Sequence, residues 1–407
     1  MEDITKSQPE QHPHLAMERD QGMKRDRDDR PQVLILGGQG RIGQSVAADL
    51  LRHTRAQLLL TSRTQQSDRQ SEQMRLVTVD LADHLTLRRL IAESQLVIHC
   101  AGPFRYRDTR VLEFCIECGV NYLDVSDDRT FTQRAMQHQA AATDAGVTAI
   151  VNTGVFPGIS NSLVRLGVEQ LDQLDRIHLS YVVAGSGGAG KTVMRTTFLG
   201  LQHPFTVFRG GEWQTVRPYT EPEQVEFPPP YGRSTVYWFD MPETLTLAHS
   251  FPAQTVITKF GSVPSLYNYL TWLTARFPAS VIQDSRSVEF LATVSHRMTQ
   301  ISDRLTGIGV AMRAAVYGEK RGQKGYYWAT FSHPNTAVAA GQGTGSIAQS
   351  LLSGTLHHPG VWAVEQALPT ILFQQTLQER GLAIHQGWQP VGENPRALQD
   401  SADPLSN

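Results

Sequence analysis

The sequence predicts an α/β protein built on a doubly wound parallel sheet, with a second mixed α/β domain that contains a largely antiparallel sheet. Two observations carry this. First, short apolar runs alternate with helical spacing from about residue 32 to 151, the pattern of parallel strands joined by crossover helices. Second, after about residue 160 the pattern changes to β-rich stretches with aromatics and polar turns.

The first strand is Val33-Leu34-Ile35-Leu36, four branched apolar residues that read as buried on both faces. It runs into Gly37-Gly38-Gln39-Gly40-Arg41-Ile42-Gly43 and then a helical pattern from Gln44 to Leu51. In Gly38-x-Gly40-x-x-Gly43 the first glycine is expected to permit the turn. The second lets backbone approach a pyrophosphate, and the third lets helix and strand pack closely. Strand, glycine turn and helix N-terminus together form an anion site, so a dinucleotide is expected here, in a Rossmann domain.

The remaining elements follow in order. Strands are expected at 57–61, 75–80, 95–100, 121–126 and 147–151, and helices at 85–94, 108–118 and 130–145. A helix at 159–171 and a strand at 176–183 open the second domain. Further strands are expected at 235–239 and 255–260, helical spacing at 265–305, a hairpin around 318–324, and a helix at 336–352. The resulting division is a disordered tail at 1–31, a Rossmann domain at 32–158 and a substrate or dimerisation domain at 159–334. Helices at 335–387 and a loose tail at 388–407 complete it.

Ligands of such sheets lie beyond the carboxyl ends of the strands. That rule selects Ser62 and Arg63, Asp80, Ala101-Gly102-Pro103-Phe104, Asp124 to Asp128, and Asn152 to Asn161. An NAD site places an acid about 20 residues past the glycines, where it holds the ribose 2′-hydroxyl. Here the position reads Thr61-Ser62-Arg63-Thr64, with no acid. The planar, permanently charged guanidinium of Arg63 suits a 2′-phosphate, Ser62 adds a hydroxyl, and Arg41 can share the phosphate or stack on adenine. The expected cofactor is NADP(H).

Composition narrows the classes. The 407 residues are 40% hydrophobic and 19% charged with a net charge of −2, an ordinary globular balance that argues against nucleic acid as a partner. No apolar signal core opens the chain and no run of about 18 apolar residues occurs, so a cytoplasmic protein is expected. The three cysteines are too few for a disulfide framework. Cys115 and Cys118 form a C-x-x-C pair at a helix end without a second pair, so packed thiols are expected rather than a redox or metal site. No metal is expected.

Four segments in order, Gly-Gly-Gln-Gly-Arg-Ile-Gly, Cys100-Ala101-Gly102-Pro103-Phe104, Tyr122-Leu123-Asp124-Val125-Ser126 and Gly154-Val155-Phe156-Pro157-Gly158, resemble the saccharopine dehydrogenase-like oxidoreductases. The resemblance covers roughly residues 32–385. It implies a Rossmann domain, an inserted substrate domain and a C-terminal helix that returns to the nucleotide domain. It also implies an active-site acid at Asp124. Saccharopine reductases carry a cysteine before the glycine of Gly-x-x-Pro-Gly and a tyrosine soon after the Gly-Pro turn. Here Thr153 takes the first place and the tyrosine is displaced to Tyr106, which points away from saccharopine as substrate.

The expected function is therefore NADP(H)-dependent oxidation or reduction of a small imine, amino acid or carbonyl compound. Asp124 and Tyr106 are the catalytic candidates, and Arg105, Asn152, Lys191 and Arg195 the substrate-binding ones. Asp127 and Asp128 read as helix caps, and His99 as a packed, hydrogen-bonded core histidine. A non-catalytic NADPH-binding sensor or scaffold is the alternative. Gly185 to Thr192 also fits a P-loop, but the chain downstream of it is proline-rich and antiparallel in pattern, so ATP hydrolysis ranks last. The aromatic amphipathic stretch Leu266 to Phe277 reads as core or as the face of a homodimer formed through the second domain. Peripheral membrane contact is its less favoured reading.

Overall fold

The computed structural model describes residues 30–62, 71–187, 197–198, 200–201, 203–277 and 284–390. Their fold is the predicted one: a seven-stranded parallel sheet with helices, joined to a second, mixed sheet. Arg63, Lys191 and Arg195 lie outside the described residues, as do most of the expected N-terminal tail and residues 391–407.

In the first sheet, β1 (Gln32–Leu36), β2 (Gln57–Ser62), β3 (Met74–Thr78), β4 (Leu96–His99), β5 (Asn121–Asp124), β6 (Thr148–Val151) and β15 (Gly360–Ala363) take the order β15-β6-β5-β4-β1-β2-β3. Successive strands are added on one side of β1 for β2 and on the other for β4, and this switch in strand order opens a crevice past the carboxyl end of β1. Leu34 and Leu36 enter the apolar cluster on one face of the sheet, Val33 and Ile35 that on the other, and all four are fully buried. This two-sided burial is why the strand reads as an unbroken apolar run.

The crossovers use α1 (Arg41–His53), α2 (His84–Ala92), α3 (Arg110–Cys118), α4 (Arg129–Met136) and α5 (Gln139–Asp144). The expected helix at 130–145 is thus two, broken at Gln137 and His138.

Helix α6 (Ile159–Val168) leads into β7 (Gln173–Ala184) of the second sheet. β7 is flanked by β12 (Thr255–Val263), which is parallel to it, and by β13 (Val310–Lys320), which is antiparallel. Beyond these lie β11 (Gly232–Trp238) and β10 (Glu223–Phe227) on one side, and β14 (Gln323–His333) and β16 (Ile384–Pro390) on the other. All of those pairings are antiparallel. β8 (Phe205–Arg209) adds to β12, and β9 (Glu212–Val216) to β8. A strand with one antiparallel neighbour is not the core strand of a P-loop domain, which removes the structural basis for an ATPase. The polar tail is also corrected: through Pro390 it pairs with β14, and backbone hydrogen bonding replaces the apolar pattern that would have marked a strand.

The helix Thr336–Leu352 lies directly on α1. A Cβ on Gly341 would meet Ser45 and one on Gly345 would meet Asp49, so the backbones touch where side chains would separate them. Arg380 closes the arrangement, its fully buried guanidinium donating to Asp49 at 2.7, 3.0 and 3.1 Å. The C-terminal segment also supplies β15, parallel to β6. One apolar cluster runs from Val33 and Ile35 through α6 to Tyr181 and Phe331, so the two sheets share a core.

Candidate functional site: the carboxyl edge of the parallel sheet

The glycine turn is built differently from the sequence expectation. The residue with left-handed backbone is Gly37 (φ +73°), not Gly38, so the turn begins one residue earlier. Gly38 is needed because a Cβ there would lie 2.6 Å from Leu60 Cγ. Gly43 serves close packing as expected: a Cβ would overlap the Gly37 carbonyl and come within 2.7 Å of Gly38 Cα. Gly40 is exposed, and a Cβ there would meet only the Gly37 carbonyl, at 3.1 Å. Gly40 is also the N-cap of α1, where no side chain caps the helix. The first turn therefore presents backbone amides and the positive end of the dipole toward an open cradle that a side chain at 40 would fill, and that arrangement fits a diphosphate. Gln39 is half-buried, its carbonyl accepting from Gln44 at 3.0 Å, while Ile42 packs inward and Arg41 is exposed.

Two neighbours hold this loop, a role that sequence reading assigned to neither. Thr61 Oγ1 accepts the Gly37 amide at 3.1 Å. Arg107 Nε donates to the Ala101 carbonyl at 2.8 Å, and its Nη2 reaches the Gly102 carbonyl at 3.5 Å. Ala101 abuts Gly37 so closely that a Cβ on Gly37 would fall 2.9 Å from Ala101 Cα. The loop Ala101-Gly102-Pro103-Phe104 is thereby fixed beside the glycine turn, with Phe104 buried against His99 and Phe131. Thr61→Val keeps the shape of the side chain and deletes the acceptor. NADPH affinity should fall by about five- to twenty-fold, the worth of one buried hydrogen bond; fluorescence titration reads this directly.

Ser62 ends β2, half-buried. Asp80 follows β3 exposed, its Oδ1 accepting the Ala82 amide at 3.0 Å, a turn contact that occupies it locally. Tyr106 and Arg105 sit on the 3₁₀ turn Phe104–Tyr106 with Tyr106 58% exposed, so neither is enclosed with the glycine turn.

Asp124, the acid expected to be catalytic, is turned into the fold by one carboxylate oxygen, while the other, Oδ2, has no hydrogen-bond partner among the described residues. It is fully buried, and Oδ1 accepts the amides of Ser126 at 2.9 Å and Asn152 at 3.0 Å. Burial pushes its carboxyl up to about 6, against the lowering pull of those two amides and of Tyr122. Asn152, expected to bind substrate, is engaged in the same loop through its amide nitrogen. It has left-handed backbone (φ 62°) and is fully buried, donating to the Ser126 carbonyl and Thr132 Oγ1, both at 2.9 Å. Thr153, in the place of the family cysteine, donates to the Asp124 carbonyl at 2.8 Å and meets Thr344 of the returning helix at 3.2 Å. This position locks the domain rather than facing a ligand. His99 is packed and bonded to Tyr122 at 3.2 Å, and burial pushes its pKa down to about 3, so it stays neutral.

Asp127 behaves differently from its neighbour. Asp128 is a helix cap, accepting the Phe131 amide at 2.8 Å, but Asp127 is not. Its side chain is exposed and stays free of the helix it precedes. Desolvation, with Asp128 beside it, lifts its carboxyl to about 6.

Across from Asp127 stand Tyr181 of β7 and Glu243 of the helix Pro242–Ser250, close enough for both carboxylates to raise the tyrosine pKa further. Tyr181 is fully buried, stacks on Phe156 at 4.5 Å, and its hydroxyl has no hydrogen-bond partner among the described residues. Arg129 of α4 bridges to this side, donating to Thr206 and Met241 carbonyls at 2.8 and 3.2 Å and pairing with Asp240 at 3.0 Å.

Glu243 and Glu365 are both buried. Glu243 accepts from Ser160 at 3.4 Å, and Glu365 from Asn161 at 2.9 Å and Ser250 at 3.1 Å. Burial first, then repulsion from Glu365, pushes Glu243 up to about 8 from a usual 4.5. A raised carboxyl favours the protonated fold. Its stability contribution is full below about pH 4.5 and is lost as pH climbs through about 8. Urea unfolding should therefore show stability falling between about pH 4.5 and 8 and levelling off above, and Glu243→Gln should flatten that slope. Equal slopes in the two proteins would mean that Glu243 is ionised throughout.

Cys100 is half-buried, its thiol pushed up to about 12 by burial and by Asp124, and Cys115 is buried, its thiol pushed well above the usual thiol range by burial and by Cys118. Among the described residues no group of His, Cys, Asp and Glu is arranged to hold a metal.

Comparison with known proteins agrees with this geometry. Residues 33–150 match the family model of the saccharopine dehydrogenase NADP binding domain. A probable mitochondrial saccharopine dehydrogenase-like oxidoreductase of Arabidopsis thaliana is 31% identical over 88 residues, 22% of this chain and 19% of that protein. The human saccharopine dehydrogenase-like oxidoreductase is 27% identical over 85 residues, 21% of this chain and 20% of its own length. The matched segment thus spans about a fifth of these relatives. The fold is shared more widely. Saccharopine dehydrogenase (L-Glu forming) of Saccharomyces cerevisiae superposes with a TM-score of 0.61 at 13% identity, covering 88% of this chain and 100% of that one. Over residues 33–150 the nucleotide domain described above, with its glycine turn and uncapped helix, is similar to the saccharopine dehydrogenase NADP binding domain, and its cofactor is NADP(H).

Proposed function

We propose that the protein is an NADP(H)-dependent oxidoreductase acting on a small imine, amino acid or carbonyl compound held between the carboxyl edge of the parallel sheet and β7. The observation that carries this reading is Asp127. It is an exposed carboxyl raised to about 6, in the loop after β5, with the unpartnered Tyr181 hydroxyl and Glu243 within electrostatic reach. The nicotinamide supplies or accepts a hydride when bound. Asp127 then supplies the proton that the substrate nitrogen or oxygen needs, because a carboxyl titrating near neutrality can both give and regain one. Phe156 and Tyr181, stacked at 4.5 Å, wall one side of the space with apolar surface.

NADPH consumption, followed at 340 nm against a panel of amine and keto-acid pairs and simple carbonyl compounds, tests the reading. Turnover of at least one member is expected. Tight NADPH binding with no turnover anywhere would favour a sensor, a reading that the inward-bonded Asp124 and Thr153 would also accommodate.

A further inference from the structure

The helices Ser265–Thr274 and Ser285–Thr306 bury their inner faces in one cluster, where Trp272 and Ala275 meet Val288, Leu291 and Ala292. Their outer faces are apolar and open. On the first, Leu266, Tyr269 and Leu273 are 57%, 59% and 39% exposed and share a stripe, which Phe277 extends just past the helix end. On the second, Phe290, Val294 and Met298 follow at four-residue spacing, with Phe290 68% exposed. The sequence reading of Leu266 to Phe277 as core is thus overturned for the outward half. Soluble surfaces scatter such residues singly, and two aligned stripes mark a contact surface.

The charges around the stripes identify the partner. Arg286, Arg297 and Arg304 fall within about 20° of one another on the helical wheel, along one flank of the Phe290 stripe. All three are exposed. Arg276 borders the other stripe, its guanidinium 3.7 Å over the Trp272 ring, and Tyr269 stacks on Trp272 at 5.9 Å. None of these four arginines forms an ion pair among the described residues. Of the acids beside the stripes, Asp284 caps its helix through Ser287, Asp303 holds Ser186, and Glu289 is half-buried. A second copy of this chain would bring four more arginines to the same face, so self-association carries a like-charge penalty. An anionic bilayer presents an apolar layer beneath negative headgroups, with stacked aromatics favoured at the boundary between them.

We propose that these two helices form an interfacial membrane-docking surface for anionic phospholipid. The helices lie on the bilayer with the Leu266–Phe277 and Phe290–Met298 stripes inserted and the arginines at headgroup level. No described helix is long and apolar enough to cross a membrane, so the contact is peripheral.

Cosedimentation of the full chain with vesicles tests this independently of any turnover. Vesicles of phosphatidylcholine with 30% phosphatidylserine should bind the protein, and vesicles of phosphatidylcholine alone should bind it several-fold less. Binding should weaken with salt, and Arg286→Gln and Arg297→Gln should each lower partitioning by about five-fold. Phe290→Asp with Leu266→Asp should abolish binding while NADPH affinity stays at wild-type level, which shows that the fold survives. If that double variant does not fold, the arginine variants carry the test alone. Absence of binding to phosphatidylserine vesicles at low salt would overturn the proposal. So would a stable dimer by light scattering that the Phe290 substitution dissociates, because the stripe would then be covered by a second copy.

Discussion

Gly40→Val should bind NADPH about a hundred-fold more weakly, or not measurably, while unfolding within a few degrees of the wild type. Gly40 has ordinary extended backbone (φ −69°, ψ 163°) and an exposed position, so a side chain there meets little protein. It would instead occupy the cradle in front of the first amides of α1, where a diphosphate accepts its hydrogen bonds. A loss of about 3 kcal/mol of binding corresponds to that hundred-fold change. Gly43→Ala is the companion. Its Cβ overlaps the Gly37 carbonyl and lies 2.7 Å from Gly38 Cα, so α1 must move away from β1. That variant should lose both affinity and stability, the latter by about 1–3 kcal/mol as expected for overpacking. Calorimetric titration beside thermal melts distinguishes the two patterns. Wild-type affinity in Gly40→Val would remove the diphosphate from this loop.

Asp127→Asn should lower turnover by about 10²- to 10⁴-fold with NADPH affinity unchanged, the loss typical of a missing general acid. The wild-type reduction rate should fall as pH rises through about 6, as the carboxyl ionises, and the variant should lose that limb. Asp124→Asn makes the contrast. It would replace a carboxylate that accepts two backbone amides, so its main effect should be on stability. A change of less than about five-fold in Asp127→Asn would leave proton transfer to another group.

The nucleotide domain was legible because its signals are local. Val33 to Leu36 is buried on both faces and reads as an apolar run, and the glycines come immediately after it. Even so, the pattern misplaced the left-handed residue by one, because Gly37 and Gly38 look alike without knowing that Leu60 lies over Gly38. The catalytic candidates were less legible. Asp124 and Asp127 are three residues apart in one loop, and only the three-dimensional path shows that the first turns inward to Asn152 while the second faces Tyr181. Tyr181, Glu243 and Arg129 could not be joined to the nucleotide edge from the sequence, since their partners lie far along the chain: Ser160 is 83 residues from Glu243, and Thr206 is 77 from Arg129. The Asp49–Arg380 pair, 331 residues apart, left no signal for the same reason. Strand β16 escapes an apolar-pattern reading because only Ile384 and Trp388 of it pack on the apolar cluster, and backbone pairing with β14 supplies the rest.

The most direct test of the account is calorimetric titration of the folded full-length chain with NADPH and, separately, NADH. A single site for NADPH, at least ten-fold tighter than for NADH, is the result predicted by the glycine cradle of α1 and by a basic residue, Arg63, where an NAD site carries an acid. No binding heat with either dinucleotide, in protein whose melting shows a cooperative fold, would contradict it.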